Sequence, residues 1–184
     1  MFKYKAEPLS NEAIIDITGQ LRKILGCSPR DPLNIIAILE HAMPELYSEF
    51  NFVIKHQSEM SIDKHAYTDP ETNEIVIRED IYERARSGEG RDRFTIAHEI
   101  GHYILHNTNL LKLTRVYPNE KIMPYEDVEW QADAFAGELL CPSSAIIEMD
   151  VEMAADYYGV SIQAAKAQKR KAKRCYGTLL QSGP

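Results

Sequence analysis

His98, Glu99 and His102 stand in the order His-Glu-x-x-His inside the stretch RFTIAHEIGHYILH, Arg93 to His106. On a helix, two histidines four residues apart lie one turn apart on one face. Their imidazole nitrogens can then converge on a single divalent ion at about 2.0–2.1 Å. Glu99 sits beside that pair, offset round the helix. A carboxylate in that position reaches a water activated by the ion and takes its proton during attack on a carbonyl. The five residues also arise by chance in proteins without metal, so the flanking residues matter. On a helical wheel, Thr95, His98, Glu99, His102 and His106 fall within a sector of about 100°, and Ile96, Ala97, Ile100, Gly101, Tyr103, Ile104 and Leu105 fill the remainder. Such a helix is buried on most sides and has one polar seam. Leaving that seam unpaired would cost on the order of several kcal/mol, and a divalent ion would satisfy it.

A catalytic zinc takes three protein ligands and keeps one position open. His106 lies two turns beyond His98, about 12 Å along the axis, too far to close the same tetrahedron. The better candidate is on the next helix, VEWQADAFAGELL, where Glu129 and Asp133 share a face with Ala132 and Ala136 alongside. Small residues let that helix approach closely. Glu129 is then the third ligand, and Asp133 accepts a hydrogen bond from the non-ligating nitrogen of a metal-bound histidine. The competing reading is an acidic first turn that only complements the helix dipole. Two imidazoles and one carboxylate suit zinc best, one ion per chain.

The elements that must position these residues are visible in outline. Ser10 is a candidate N-cap for a helix carrying Ile14, Ile17, Leu21, Ile24 and Leu25 and closed by Gly26. Asp31-Pro32 reads as the start of a second helix through Ile35, Ile36, Ile38 and Leu39, stopped by Pro44. Alternation at Phe50, Phe52 and Ile54 predicts a strand, and Lys64 to Glu79 a hairpin around TDPET. Ser87 to Gly90 is a loop into the histidine helix, Asn107 to Glu126 a long polar stretch, and Val128 to Leu140 a helix ended at Cys141-Pro142. Short helices follow to about Arg174. The fold class is therefore α+β. A single domain over 1–184 is expected, mainly helical with a small antiparallel sheet. Its parts are N-terminal helices and hairpin at 10–80, the zinc-site helices at 92–140 and a C-terminal helical segment at 142–175.

A length of 184 residues suffices for one core, and no apolar run is long enough to span a membrane. The N-terminus lacks the apolar segment of a secretory signal, and Cys27, Cys141 and Cys175 form no Cys-x-x-Cys, which points to a reducing cytoplasm. The net charge is −7, yet Lys166 to Arg174 carries six basic residues and no acid, which leaves −13 for the remainder. The body should repel nucleic acid, while the basic segment could attract it. In MAADYYGVSIQAA, residues Ala155, Gly159, Val160 and Ser161 have helix-turn-helix spacing. Operator binding is one reading of that segment. A helical pair packed on the body with a solvated basic end is the favoured one.

RFTIAHEIGHYILH followed by EWQADAFAGELLCP resembles the ImmA/IrrE metallopeptidases of bacteria and their mobile elements, residue by residue over Arg93–His106 and Glu129–Pro142. The resemblance implies a gluzincin-like site with His98, His102 and Glu129 as zinc ligands and Glu99 as general base. It implies a narrow substrate class, DNA-binding repressors of helix-turn-helix type, whose cleavage relieves repression in a phage, a mobile element or a stress response. In such sites an edge strand binds the substrate backbone. Here that strand is expected at Glu74 to Arg78, with Ile75, Val76 and Ile77. Cys141 departs from the family, which often has Met there; packing is the expected role, an extra soft ligand the alternative. A non-catalytic antirepressor is a further alternative, opposed by the intact Glu99.

Overall fold

Residues 4–106, 114–115 and 122–176 are described by the structure, a computed structural model. The chain enters as a short strand β1 (Tyr4–Lys5), then forms helix α1 (Asn11–Ile24), where Ser10 Oγ accepts the Ala13 N–H at 3.2 Å. Ile14, Thr18, Leu21 and Arg22 face inward, whereas Ile24 is exposed. Burial of Arg22 is tolerated because its guanidinium donates to the carbonyls of Leu139, Ser28 and Asp31.

The second helical segment differs from its sequence reading at both ends. Its cap is Asn34, whose Oδ1 accepts from Ile36 and Ala37 at 3.1 and 3.2 Å, while Asp31 binds the Ser28 N–H instead. Pro44 does not stop it. The chain runs from α2 (Ile35–Ala37) through one π turn (Ile38–Ala42) into α3 (Met43–Leu46), with Pro44 in the first turn of α3. A proline has no N–H to give to the preceding turn and its ring crowds that carbonyl. Widening the helix by one residue accommodates it.

The sheet holds β2 (Asn51–Lys55), β3 (Ala66–Asp69) and β4 (Glu74–Arg78) in the order β2-β4-β3. The expected hairpin is β3–β4, antiparallel, turning at Asn73 with φ 56°. The sheet as a whole is mixed, because β2 joins β4 in parallel, with Val53 opposite Val76. Glu74 to Arg78 is therefore the central strand and not an edge. Ile75, Val76 and Ile77 are at most 3% exposed and belong to the core, so their side chains offer nothing to a substrate. Continuous apolar residues in β4 signal a strand covered on both faces, which the centre of a small sheet is and an edge is not.

Helix α4 (Glu79–Arg86) starts on the residue after β4 and is absent from the sequence reading. Asp80 joins Arg78 at 2.6 Å to Arg84 at 2.8 Å, and Arg84 reaches Asp92 at 2.6 Å, so the strand end, α4 and the next helix are held together. That next helix is α5 (Gly90–His106), which carries the histidines and is buried along most of its length. Strand β5 (Thr114–Arg115) pairs with β1; the rest of the polar stretch 107–121 lies outside the described residues.

Helix α6 (Val128–Leu140) makes the largest interhelical contact among the described residues, against α5. A Cβ on Gly101 would stand 3.0 Å from Phe135 Cδ1 and 3.3 Å from the Ala132 carbonyl, so only glycine allows this approach without displacement. The expected helix-turn-helix pair is α7 (Val151–Tyr158) and α8 (Ile162–Tyr176), joined through Gly159 in the left-handed region at φ 60°. It packs on the body through Ala154, Ala155, Tyr158, Ala165 and Ala172.

Two of the six basic residues of α8 point inward. Lys171 Nζ meets Glu138 Oε2 at 3.0 Å with both side chains nearly buried, and Lys169 Nζ donates to the carbonyls of Ile146, Ile147 and Met149. Removing one partner of a buried pair strands the other charge, which costs about 3–5 kcal/mol. Lys171→Met is thus expected to lower the unfolding free energy by that amount, and with it the urea midpoint, and Arg170→Met, at an exposed position of the same helix, to leave both unchanged. Equal midpoints for Lys171→Met and the wild type would contradict the ion pair.

Candidate metal centre

Two turns of α5 and the first turns of α6 bring three ligand-type atoms to one point. His98 Nε2 and His102 Nε2 are 2.9 Å apart, Glu129 Oε2 is 3.3 Å from His98 Nε2, and Glu129 Oε1 is 3.6 Å from His102 Nε2. For bonds of about 2.0–2.1 Å, the corners of a tetrahedron stand about 3.3–3.4 Å apart. Either oxygen of Glu129 therefore stands near that spacing from one imidazole nitrogen, and these three residues form the one group that could hold a metal ion among the described residues, with one ligand atom from each within 4.8 Å of the others. Asp127 starts α6 by accepting the Glu129 N–H at 3.0 Å, which places Glu129 on the first turn and on the α5 side.

Asp133, one turn on, accepts from His98 Nδ1 at 2.8 Å. A carboxylate only accepts, so Nδ1 of His98 carries a proton, and once the ring is neutral its lone pair lies at Nε2. The imidazoles are mostly buried, with side chains 17% and 18% exposed, while Glu129 is 68% exposed, so the point of convergence opens to solvent on the Glu129 side. Burial pushes the His98 pKa down, but its bonds to Asp133 and Glu129 and the charge of Glu99 outweigh this and bring it up to about 9. The rings of His102 and His98 hold the Glu129 carboxyl well below the usual carboxylate range.

Glu99 is buried beside this group without belonging to it. Thr68, from β3, donates its hydroxyl to Glu99 Oε2 at 2.8 Å and lies 3.0 Å from the Glu99 carbonyl. Sequence reading does not single out Thr68, since it is 31 residues away and nothing local marks it. It also gives His106 and Gln131 no part in the site. His106 Nδ1 is 3.0 Å from His102 Nδ1, and its Nε2 is 2.9 Å from Gln131 Oε1. The signal for His106 was present, as a third histidine at the same four-residue spacing. Burial drives its pKa down to about 4, opposed by the Gln131 bond and reinforced by the neighbouring His102. Ile75, Val76 and Ile77 are not brought to the metal group, and Cys141 is a core residue whose thiol burial pushes up to about 12.

An HExxH helix crossed by a helix that supplies a carboxylate is the arrangement of the zincin-like metallopeptidases. The family model Peptidase_M78, described as the IrrE N-terminal-like domain, matches residues 49–168. The match covers well over half of the chain, and the chain belongs to this metallopeptidase family. It begins just before β2 and ends within α8, so it takes in the sheet and all of the metal group. No curated protein matches the chain. Among the described residues no helix is long and apolar enough to cross a membrane.

The proton on His98 competes with any ion for Nε2. In the metal-free protein, the raised pKa contributes stability that is fully present below the unfolded value of about 6.5 and is lost as pH rises through about 9. An ion that displaces that proton binds more tightly as pH rises, by about tenfold per unit below pH 9. Chelator competition at about pH 6 and about pH 8 should show this slope. A pH-independent affinity would place the ion away from His98.

Proposed function

We propose that the chain is a zinc-dependent endopeptidase of narrow specificity. Its substrate is a DNA-binding repressor of helix-turn-helix type, and cleavage relieves repression in a phage, a mobile element or a stress response. The observation that carries the peptidase reading is the convergence of His98 Nε2, His102 Nε2 and Glu129 beside an independently held carboxylate, Glu99. The repressor as substrate rests on the resemblance of the two motif blocks. His98, His102 and Glu129 hold one zinc, and Asp133 orients His98. Bound there, the metal supplies Lewis acidity toward a water and the scissile carbonyl.

The protein's own part is proton handling and positioning. Thr68 occupies Oε2 of Glu99, so Oε1 is the oxygen that takes the proton of the attacking water and returns it to the leaving amine. Burial of Glu99 keeps competing bulk water from that oxygen.

The substrate backbone adds to β3. Arg78 N–H donates to the His65 carbonyl at 3.0 Å, and Ala66 stands opposite Ile77. In an antiparallel ladder the bonded pairs alternate, so His65, Tyr67 and Asp69 bond β4, while Ala66 and Thr68 turn their N–H and C=O outward. Those outward groups lie on the strand whose Thr68 touches Glu99, so a peptide extended along them passes the catalytic carboxylate.

An antirepressor that binds without cutting shares this surface but has no use for a held base. Operator binding by α7 and α8 is disfavoured by the inward turn of Lys169 and Lys171, which leaves Lys166, Arg170, Lys173 and Arg174 on an acidic body.

Glu99→Gln keeps the zinc ligands and should cut cleavage of the partner repressor by about 10²–10⁴-fold while leaving zinc content at one per chain. Derepression of a reporter by Glu99→Gln, with the repressor intact on a gel from the same cells, would sink the peptidase mechanism. Ala66→Pro deletes an outward N–H and should impair cleavage with zinc retained, whereas Tyr67→Pro breaks the β4 ladder and should destabilise the fold. Full activity of Ala66→Pro would remove β3 as the substrate edge.

A further inference from the structure

The metal group is backed by a hydrogen-bond chain that runs away from it into the body. Gln131, on α6, is completely buried. Its Nε2 lies 2.8 Å from the carbonyl of Glu7 and 2.8 Å from the carbonyl of Tyr125. Carbonyls only accept, so both amide protons of Gln131 are committed and its Oε1 can only accept in turn. That oxygen is 2.9 Å from His106 Nε2, which must therefore carry a proton. The reversed amide would set an oxygen against two carbonyls in a dry interior.

His106 is buried, and neither of its hydrogen-bond partners among the described residues is anionic, so the ring is neutral and its single proton is the one on Nε2. Its Nδ1 is then an acceptor. The atom 3.0 Å away is His102 Nδ1, which must donate to it. A neutral His102 protonated at Nδ1 has its lone pair at Nε2, the atom that faces His98 Nε2 and Glu129. Each link leaves the next with one allowed polarity.

We propose that Gln131 and His106 are positioning residues that set the tautomer of His102, so that the backbone carbonyls of residues 7 and 125 determine which nitrogen of a metal-binding histidine is free. This rests on the zinc reading above and extends it. His98 is oriented by a carboxylate, Asp133. Among the described residues His102 has no such carboxylate at Nδ1, and it takes its orientation from a neutral relay. The relay also ties the N-terminal segment to the metal site. Ala6 N–H donates to the Glu126 carbonyl and Leu9 N–H to the Tyr125 carbonyl, both at 2.9 Å, which holds Glu7 over Gln131. The segments around Glu7 and Tyr125 are thus tied to the site through Gln131.

Two measurements on the intact chain decide it. The first is ring-nitrogen NMR of the zinc-loaded wild-type protein. A through-bond coupling between the two Nδ1 atoms, with the proton on His102 and the His106 proton on Nε2, is expected. A proton on His106 Nδ1 would overturn the proposal with no variant made. The second is zinc affinity by chelator competition in folded variants. Gln131→Leu and His106→Phe should each weaken zinc by about 10–100-fold, the range for groups that orient a ligand. His106→Gln should restore most of it, because its side-chain oxygen can accept from His102 Nδ1. Wild-type affinity in both Gln131→Leu and His106→Phe would overturn the relay while leaving the zinc reading intact. A wild-type protein that takes up no zinc would sink both.

Discussion

The close crossing of α5 and α6 is the constraint on which the rest depends. Ligand atoms of three side chains from two helices must come within 4.8 Å of one another, which requires the helices to pack closely. Gly101 on one helix and Ala132 and Ala136 on the other remove the bulk that would keep them apart, and Phe135 fills the space that remains. The same contact is a large part of the hydrophobic core, so stability and site geometry are secured by the same residues.

Around that crossing, each polar group of the site is held by a different part of the chain. Asp133 holds His98 from within α6, Thr68 holds Glu99 from the edge of the sheet, and the Gln131–His106 pair holds His102 from the side of the N-terminal segment. This arrangement explains why a small mixed sheet accompanies a mainly helical body. Strand β4 fills the core, which leaves β3 as the strand beside the Glu99 carboxylate. The match to the IrrE N-terminal-like family spans the sheet and both site helices, in keeping with their acting as one unit.

Charge is used as economically as packing. Arg22, Lys169 and Lys171 each end on carbonyls or a carboxylate of another segment, so Lys169 and Lys171, which look like part of a surface patch in the sequence, join α8 to α6 and to the connection that follows it. The network Arg78–Asp80–Arg84–Asp92 does the same between the end of β4 and the start of α5. With those groups satisfied internally, four basic side chains of the α8 run remain exposed against a body of net negative charge.

Features that repeat within one or two helical turns were legible in the sequence. His98 and His102 lie four residues apart, Glu129 and Asp133 likewise, and a helix of fixed pitch places each pair on one face whatever surrounds it. The Ser10 cap, the Gly159 turn and the β3–β4 hairpin are equally local. Contacts between distant segments were decided by the tertiary structure alone. Whether Glu74 to Arg78 lies at the centre or the edge depends on where β2 pairs, and apolar content is compatible with more than one sheet order. Pro44 can end a helix or sit past a π turn, because burial of Ile38, Leu39 and Met43 favours continuation and no local rule weighs that. Thr68 reaches Glu99 across 31 residues, and Gln131 reaches Glu7 across 124. A hydrogen bond needs its partner within about 3 Å, and only the folded chain sets that distance for groups so far apart along it.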